Sequence, residues 1–488
     1  MKQLYQKYKS IIVALLIGGM STSCSWLDVT PQAQVNEEQM FSNPEGFEHV
    51  LLGIYTSMTR ESMYGQDMTF GMMDVVGQYY NIYKNQDHGY YYISQLNYTH
   101  EQFLNHSRQT WLDCYNSIAN CNVLLEALDG KESSFFEGNK YRLIKGEALA
   151  LRAYLHFDLF RMFAPSWGKA KDVLTIPYAD SFTKKIHAQL KGEEVIRKVV
   201  ADLDSAKNLL NGIDPVLEGG YKVMDNHFNS PQEASDLFLS YRGYRMNYYA
   251  VLGLLARVHL YIGSNSEAAA YAEQVITAKE EGYFQFTSET AFKNPQASRD
   301  VQQMNELLFA LNDVKVVDRW FSLSNSANTA FRIVNNSSFY SKGDFRLYLL
   351  ENAAEEDKTA SLKYARLSEN AANTNNKLPM LRMSEMYIIA AEAGYATDKT
   401  KAISRLSELK TNRGVSMNMT GYSFEQLQDE TLLEVKRELL GEGQLFYWYK
   451  QRNLAKIKRG NEVIDMPIEK YTFPLPSTEV EFGDRVQP

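Results

Sequence analysis

The 488-residue chain is poor in cysteine, with three, and in tryptophan, with five, against 32 tyrosines. Three cysteines cannot build a disulfide framework. Cys114 and Cys121 stand seven positions apart in a segment with helical periodicity. Their Cα atoms should then lie about 10 Å apart, beyond the roughly 7 Å that a disulfide spans, so two buried, unbridged thiols are expected. An excess of positive charge is also missing: 51 Lys and Arg face 59 Asp and Glu, a net charge of −8. That balance argues against a nucleic-acid partner, which requires clustered bases, and against electrostatic docking on anionic lipid. No His-Glu-x-x-His, Cys-x-x-Cys, glycine-rich phosphate loop or Gly-x-Ser-x-Gly elbow occurs, and the eight His are scattered. No metal, no cofactor and no catalysis is therefore expected. Only hydrolysis by a carboxylate pair, which needs no spaced motif, stays open on composition.

The N-terminus reads as a processing segment. Lys2, Lys7 and Lys9 precede the apolar run at residues 11–20, and Ser21, Thr22 and Ser23 lead to Cys24. The order is that of a secretory signal, and the run is about half of the ~20 residues that span a bilayer. A Cys directly after small residues is the lipidation site of bacterial lipoproteins, although Ser21 stands where Leu or Val is usual. We therefore expect residues 1–23 to be removed and the chain of 24–488, a single domain, to be tethered through Cys24. Losing three lysines takes the net charge from −8 to −11, so the tether must rest on acyl chains.

Helical periodicity dominates the rest of the chain. Phe47, Val50, Leu51 and Ile54 share one face of a helix over residues 44–58, and further helices are expected at 100–129 and 140–163. The last is apolar almost all round, as in a helix buried within a bundle; within it His156 reads as a hydrogen-bonded core residue. Two later stretches, about 251–277 and 383–414, each read as a helix, a short turn and a second helix, near the ~34-residue period of tetratricopeptide hairpins. Ser264 with Glu267 fits a capping box, and Gly414 a helix stop. Residues 59–97 and 280–378 lack this periodicity. The first is rich in Tyr, Asp, Asn and Gln; the second holds candidate short strands at 284–286, 307–311 and 331–334. The fold class is thus mainly α, a tetratricopeptide-like hairpin scaffold with long loop-rich insertions.

Several segments, in order, carry a resemblance: residues 24–31 (CSWLDVTP), 111–126 (WLDCYNSIANCNVLLE), 146–163 (GEALALRAYLHFDLFRMF), 176–178 (IPY), 305–310 (NELLFA), 381–393 (LRMSEMYIIAAEA), 434–443 (EVKRELLGEG) and 471–476 (YTFPLP). The chain resembles the SusD/RagB family of outer-membrane nutrient-binding lipoproteins of Bacteroidota over nearly its whole length. It departs from that family where Phe446, Tyr447, Trp448 and Tyr449 replace an aromatic-acidic step. The resemblance implies a scaffold of four helical hairpins, a ligand site built by loops, no catalysis and no cofactor. It also implies a partner: a SusC-like TonB-dependent outer-membrane barrel on which the protein sits as a lid.

A saccharide offers apolar C–H faces and rings of hydroxyls, which aromatic platforms and planar amides, carboxylates or guanidinium groups recognise. On that chemistry the ligand contacts are expected at Asp74, Gln78, Tyr79, Tyr83 and Asn85, with Trp320 from the second insertion. For Asp74, after an apolar run, helix capping is an equal expectation. A glycan receptor that feeds a transporter is the leading reading. The alternatives are an oligopeptide receptor of the same architecture and a helical-repeat adaptor, which the long Tyr-rich insertions disfavour.

Overall fold

The computed structural model describes residues 37–82, 89–218, 236–324, 331–334, 339–351, 359–367 and 376–488. The signal segment, Cys24, Tyr83 and Asn85 lie outside the described residues. Glu48–Pro488 forms one compact unit, and the described residues before it, 37–47, belong to a separate one. In the latter, the short helix Glu37–Met40 is followed by Phe41 and Phe47, whose rings sit 4.6 Å apart.

Long helices provide the frame: α1 (Pro44–Met58), α2 (Glu101–Asp129), α3 (Lys140–Phe163), α4 (Gly192–Leu210), α5 (Tyr248–Tyr261), α6 (Asn265–Glu280), α7 (Val316–Ser324), α8 (Met383–Gly394), α9 (Lys399–Thr411), α10 (Phe424–Glu438) and α11 (Leu445–Gln451). Helix α2 packs on α3, α3 on α4, α5 on α6, α6 on α8, and α8 on both α9 and α10. This is the mainly α, hairpin-built architecture expected. Helix α3 is buried from Leu143 onward apart from Lys145. Its periodicity is weak because every face meets protein. Small residues permit the close approach: a Cβ on Gly146 would meet Leu210 Cγ of α4 at 2.9 Å. Cys114 and Cys121 are buried and unbridged, and burial pushes the Cys121 thiol up to about 12. Among the described residues no helix is long and apolar enough to cross a membrane.

Three local expectations fail. Residues 316–324, inside a stretch expected to lack helical periodicity, form the amphipathic helix α7. Ser264 precedes α6 but its side chain makes no capping hydrogen bond, because its backbone does not take the extended conformation that aims a cap. Residues 284–286 form no strand; Phe284 and Phe286 are instead buried against Tyr249 and Tyr387. Gly414 does adopt φ +77°, and a Cβ there would lie 2.5 Å from the Gly343 carbonyl oxygen, so only glycine fits.

The strands come in pairs: β1 (Tyr80–Asn81) with β5 (Arg332–Ile333), β2 (Leu174–Pro177) with β3 (Gln189–Lys191), β4 (Leu307–Asn312) with β8 (Lys377–Arg382), β6 (Leu350–Glu351) with β7 (Ala360–Ser361), and β9 (Lys456–Arg459) with β10 (Glu462–Asp465). All are antiparallel. Strand β8 leads directly into α8, so the β4–β8 ladder fastens the second insertion to the scaffold.

Buried charge completes that fastening. Glu434 and Glu438 of α10 and Glu442 beyond it recur every four positions. Glu438 meets three guanidinium groups: Arg413 at 2.5 Å, Arg346 at 2.8 Å and Arg382 at 3.0 Å. Glu434 binds Arg346 at 2.8 Å, and Glu442 binds Lys363 at 2.5 Å and Arg382 at 3.0 Å. Arg413 also reaches Glu306 at 2.6 Å. Residues of the insertion (306, 346, 363) and of the scaffold (382, 413, 434, 438) thus share one ion network. Burial raises the Glu438 pKa, but Arg413, Arg382 and Arg346 outweigh it and hold the carboxyl well below the usual carboxylate range.

Candidate functional site

The two insertions meet in a small backbone ladder. Strand β1 pairs with β5, and the Ile333 N–H donates to the Thr359 carbonyl at 2.9 Å, next to β7. The Val334 N–H donates to Tyr79 O at 2.9 Å. Under this ladder lies an aromatic floor. Tyr80 stacks on Phe331 with centroids 4.6 Å apart, Trp320 meets Phe70 edge-on at 5.4 Å, and Tyr364 lies 5.2 Å from Phe70. Tyr90 closes one side, 5.2 Å from Phe331, and its hydroxyl donates to Asp67 at 2.7 Å. Asp67 in turn faces His106 Nδ1 at 2.8 Å.

Four of the six residues assigned to ligand from sequence belong to this floor. Asp74, Gln78, Tyr79 and Trp320 are each no more than 1% exposed, and each has protein partners. Asp74 accepts the Gly441 N–H at 2.7 Å and the Gly443 N–H at 2.9 Å. Burial pushes its pKa up to about 8, against the lowering effect of those two N–H groups. Gln78 sits at φ +62° and its amide nitrogen donates to Val75 O and Ser94 O. The Tyr79 hydroxyl donates to Lys436 O at 2.9 Å, and Trp320 Nε1 donates to Ser361 O at 3.1 Å. Asp74 and Tyr79 tie the first insertion to α10 and the turn after it, while Gln78 and Trp320 each bond within their own insertion, so these buried groups support a surface and do not line it. Aromatic and amide composition cannot separate a binding ring from a core ring. Tyr83 and Asn85 lie outside the described residues.

The outer side of α7 faces solvent. Val316, Val317 and Trp320 are its buried stripe, and one residue further along a helix is a turn of about 100°. Phe321 therefore points outward and is 46% exposed. The Arg366 guanidinium carbon lies 5.6 Å from the Phe321 ring centroid and its Nη2 is 2.8 Å from Asp318 Oδ1. An exposed ring is thus flanked by a guanidinium and a carboxylate, both largely open to solvent. A Val-Val-x-x-Trp stripe turns Trp320 inward and leaves its neighbour outside.

Such a platform can stack an apolar ring face and hydrogen-bond paired hydroxyls at its edge. Among the described residues no group of three or more His, Cys, Asp or Glu is arranged to hold a metal ion. His156 is a core residue: Nδ1 faces Arg152 O at 2.9 Å and Nε2 accepts the Ala179 N–H at 3.0 Å.

Comparison with known proteins bears on the fold. Residues 25–216 match a SusD-like family described as "Starch-binding associating with outer membrane". The chain is 22% identical to SusD-like protein P2 of Formosa agariphila, across 99% of both chains. Its fold is similar to that of a SusD superfamily protein from Bacteroides thetaiotaomicron, with a TM-score of 0.73 at 20% identity over 91% of this chain and 100% of that one. It is also similar to a SusD-like carbohydrate binding protein from Bacteroides vulgatus, with a TM-score of 0.64 at 21% identity over 84% and 83%. Surface glycan-binding protein A from Bacteroides fluxus aligns with a TM-score of 0.61 at 17% identity over 90% and 96%.

Proposed function

We propose that this chain, which belongs to the SusD-like family, is a non-catalytic carbohydrate receptor of the outer membrane. In this reading it captures an oligosaccharide on the insertion face and delivers it to a SusC-like TonB-dependent barrel. The observation that carries the reading is the exposed Phe321 ring with Arg366 and Asp318 at its edge. A sugar ring stacks on such a surface without the deep groove or free backbone edge that peptide capture uses. Tyr83 and Asn85 are proposed as further contacts. Lipid attachment at Cys24 supplies the membrane association, since the acidic body offers no electrostatic substitute. The family description and the relatives named for carbohydrate or glycan binding support the ligand class.

Calorimetry against soluble oligosaccharides tests this. Phe321→Ala should weaken the best ligand at this face by about tenfold or more, the scale of one lost stacking ring and enough to remove a weak site from the titration, and leave the melting temperature unchanged. Trp320→Ala should instead lower stability by ~3–5 kcal/mol, as for a buried Trp. Binding of oligopeptides with no response to any glycan would overturn the reading. Failure to co-purify a barrel from envelope membranes would remove the transport step alone.

A further inference from the structure

A second concave surface lies away from the insertions, on the hairpin scaffold. Helices α4, α5 and α6 line an open groove of about 400 Å³. The end of α4 contributes Asn208 and, just beyond it, Asn211; the start of α5 contributes Tyr248; α6 contributes Glu267 and Tyr271. We propose that this groove is a second saccharide-binding subsite.

The Tyr271 ring is held in place before any ligand arrives. It lies against the His259 ring, centroids 5.6 Å apart and planes inclined by 27°, and its hydroxyl accepts from Lys207 Nζ at 3.1 Å. Lys207 is itself fixed by Asp204 at 2.8 Å. Arg142 Nη2 donates to the carbonyls of Asn208 at 3.2 Å and Asn211 at 3.5 Å, which steadies the backbone carrying both amides. A ring and a rim that are already ordered lose little freedom on binding.

Part of the polar rim is free of protein partners among the described residues, although the Gln274 amide donates to Ala270 O at 3.3 Å. Among the described residues, the side chains of Asn208, Asn211 and Glu267 and the Tyr248 hydroxyl make no hydrogen bond, while those of Tyr271 and Lys207 do. Two planar amides, a carboxylate and a phenol around two tyrosine rings match a neutral polyol, whose hydroxyls donate and accept in pairs. An anion fits poorly, because Lys207 is already paired and Glu267 stands at the rim. An apolar peptide fits poorly against so polar a lining. The subsite shares its ligand class with the proposed function but none of its residues. Two sites on one chain would engage a long glycan at two points and raise its avidity without new contacts at either.

Titration calorimetry with maltoheptaose, laminarihexaose and xylohexaose on the full soluble chain tests this. For an oligosaccharide that binds, two sites per chain are expected. Tyr271→Ala should remove one of them, Phe321→Ala the other, and Tyr271→Phe should keep both because the ring remains. Asn211→Ala, at an exposed position, should weaken the scaffold site with an unchanged melting curve, which covers the case in which Tyr271→Ala perturbs folding. A single site that Phe321→Ala abolishes and that Tyr271→Ala and Asn211→Ala leave untouched overturns the second subsite and leaves the receptor reading standing. No binding of any oligosaccharide overturns both.

Discussion

Asp74 and Gly443 are 369 positions apart, yet the Asp74 carboxylate accepts the Gly443 backbone N–H at 2.9 Å. The second oxygen takes the Gly441 N–H at 2.7 Å. Both glycines have positive φ, +84° at Gly441 and +69° at Gly443, so the turn after α10 presents its amides to a single acceptor. A segment near the start of the chain thereby fixes the turn between α10 and α11.

Asp74→Ala leaves both N–H groups buried without an acceptor. We expect a loss of ~1–3 kcal/mol per stranded donor, read from urea unfolding. Saccharide affinity of the fraction that remains folded should be unchanged, since Asp74 does not reach solvent.

Glu438→Gln removes the carboxylate that faces Arg346, Arg382 and Arg413 in a fully buried setting. Stability should fall by ~3–5 kcal/mol, because three guanidinium groups lose their shared counter-charge inside the protein. Asp129→Asn breaks the pair with Lys145, where Asp129 is 64% exposed, and should leave urea unfolding close to wild type.

His156 carries a pH dependence. Burial depresses its pKa from 6.5 to about 3, and the Ala179 N–H needs Nε2 as an acceptor. The folded state therefore holds the neutral ring while the unfolded chain takes up a proton below about 6.5. The contribution is fully present above pH 6.5 and is lost as pH falls toward 3, at ~1.4 kcal/mol per pH unit at most. Melting temperatures measured between pH 7 and pH 4 should decline less steeply in His156→Gln than in wild type. Parallel curves would show that this histidine does not set the acid limit.

Cys24→Ala should shift the protein from the membrane to the soluble fraction, with oligosaccharide affinity unchanged. Retention of the variant in washed membranes would mean that something other than acyl chains holds it there.

The hairpin scaffold was legible because its information is local. Apolar stripes at helical spacing and a short turn specify α5 with α6 and α8 with α9 whatever surrounds them. The strand at 307–311 was also legible, but not its partner β8, since pairing is decided across the whole insertion. The candidate site was less legible. Trp320 and Phe321 are neighbours of similar chemistry, and only the position of the core separates them: Val316, Val317 and Trp320 turn inward and Phe321 is left outside.

The amino-acid sequence alone determined the acidic charge and the helical hairpins and set off the two insertions between them, and it carries the expectation of a secretory signal. Each of these depends on composition or on residues within a few turns of one another. The tertiary structure decided which aromatic rings are floor and which is platform. It also gave Asp74 its partners at the far end of the chain and turned the every-fourth glutamates of residues 434–442 into the counter-charges of Arg346, Arg382, Arg413 and Lys363. Burial and ion pairing join residues hundreds of positions apart, and no local pattern encodes which ones meet.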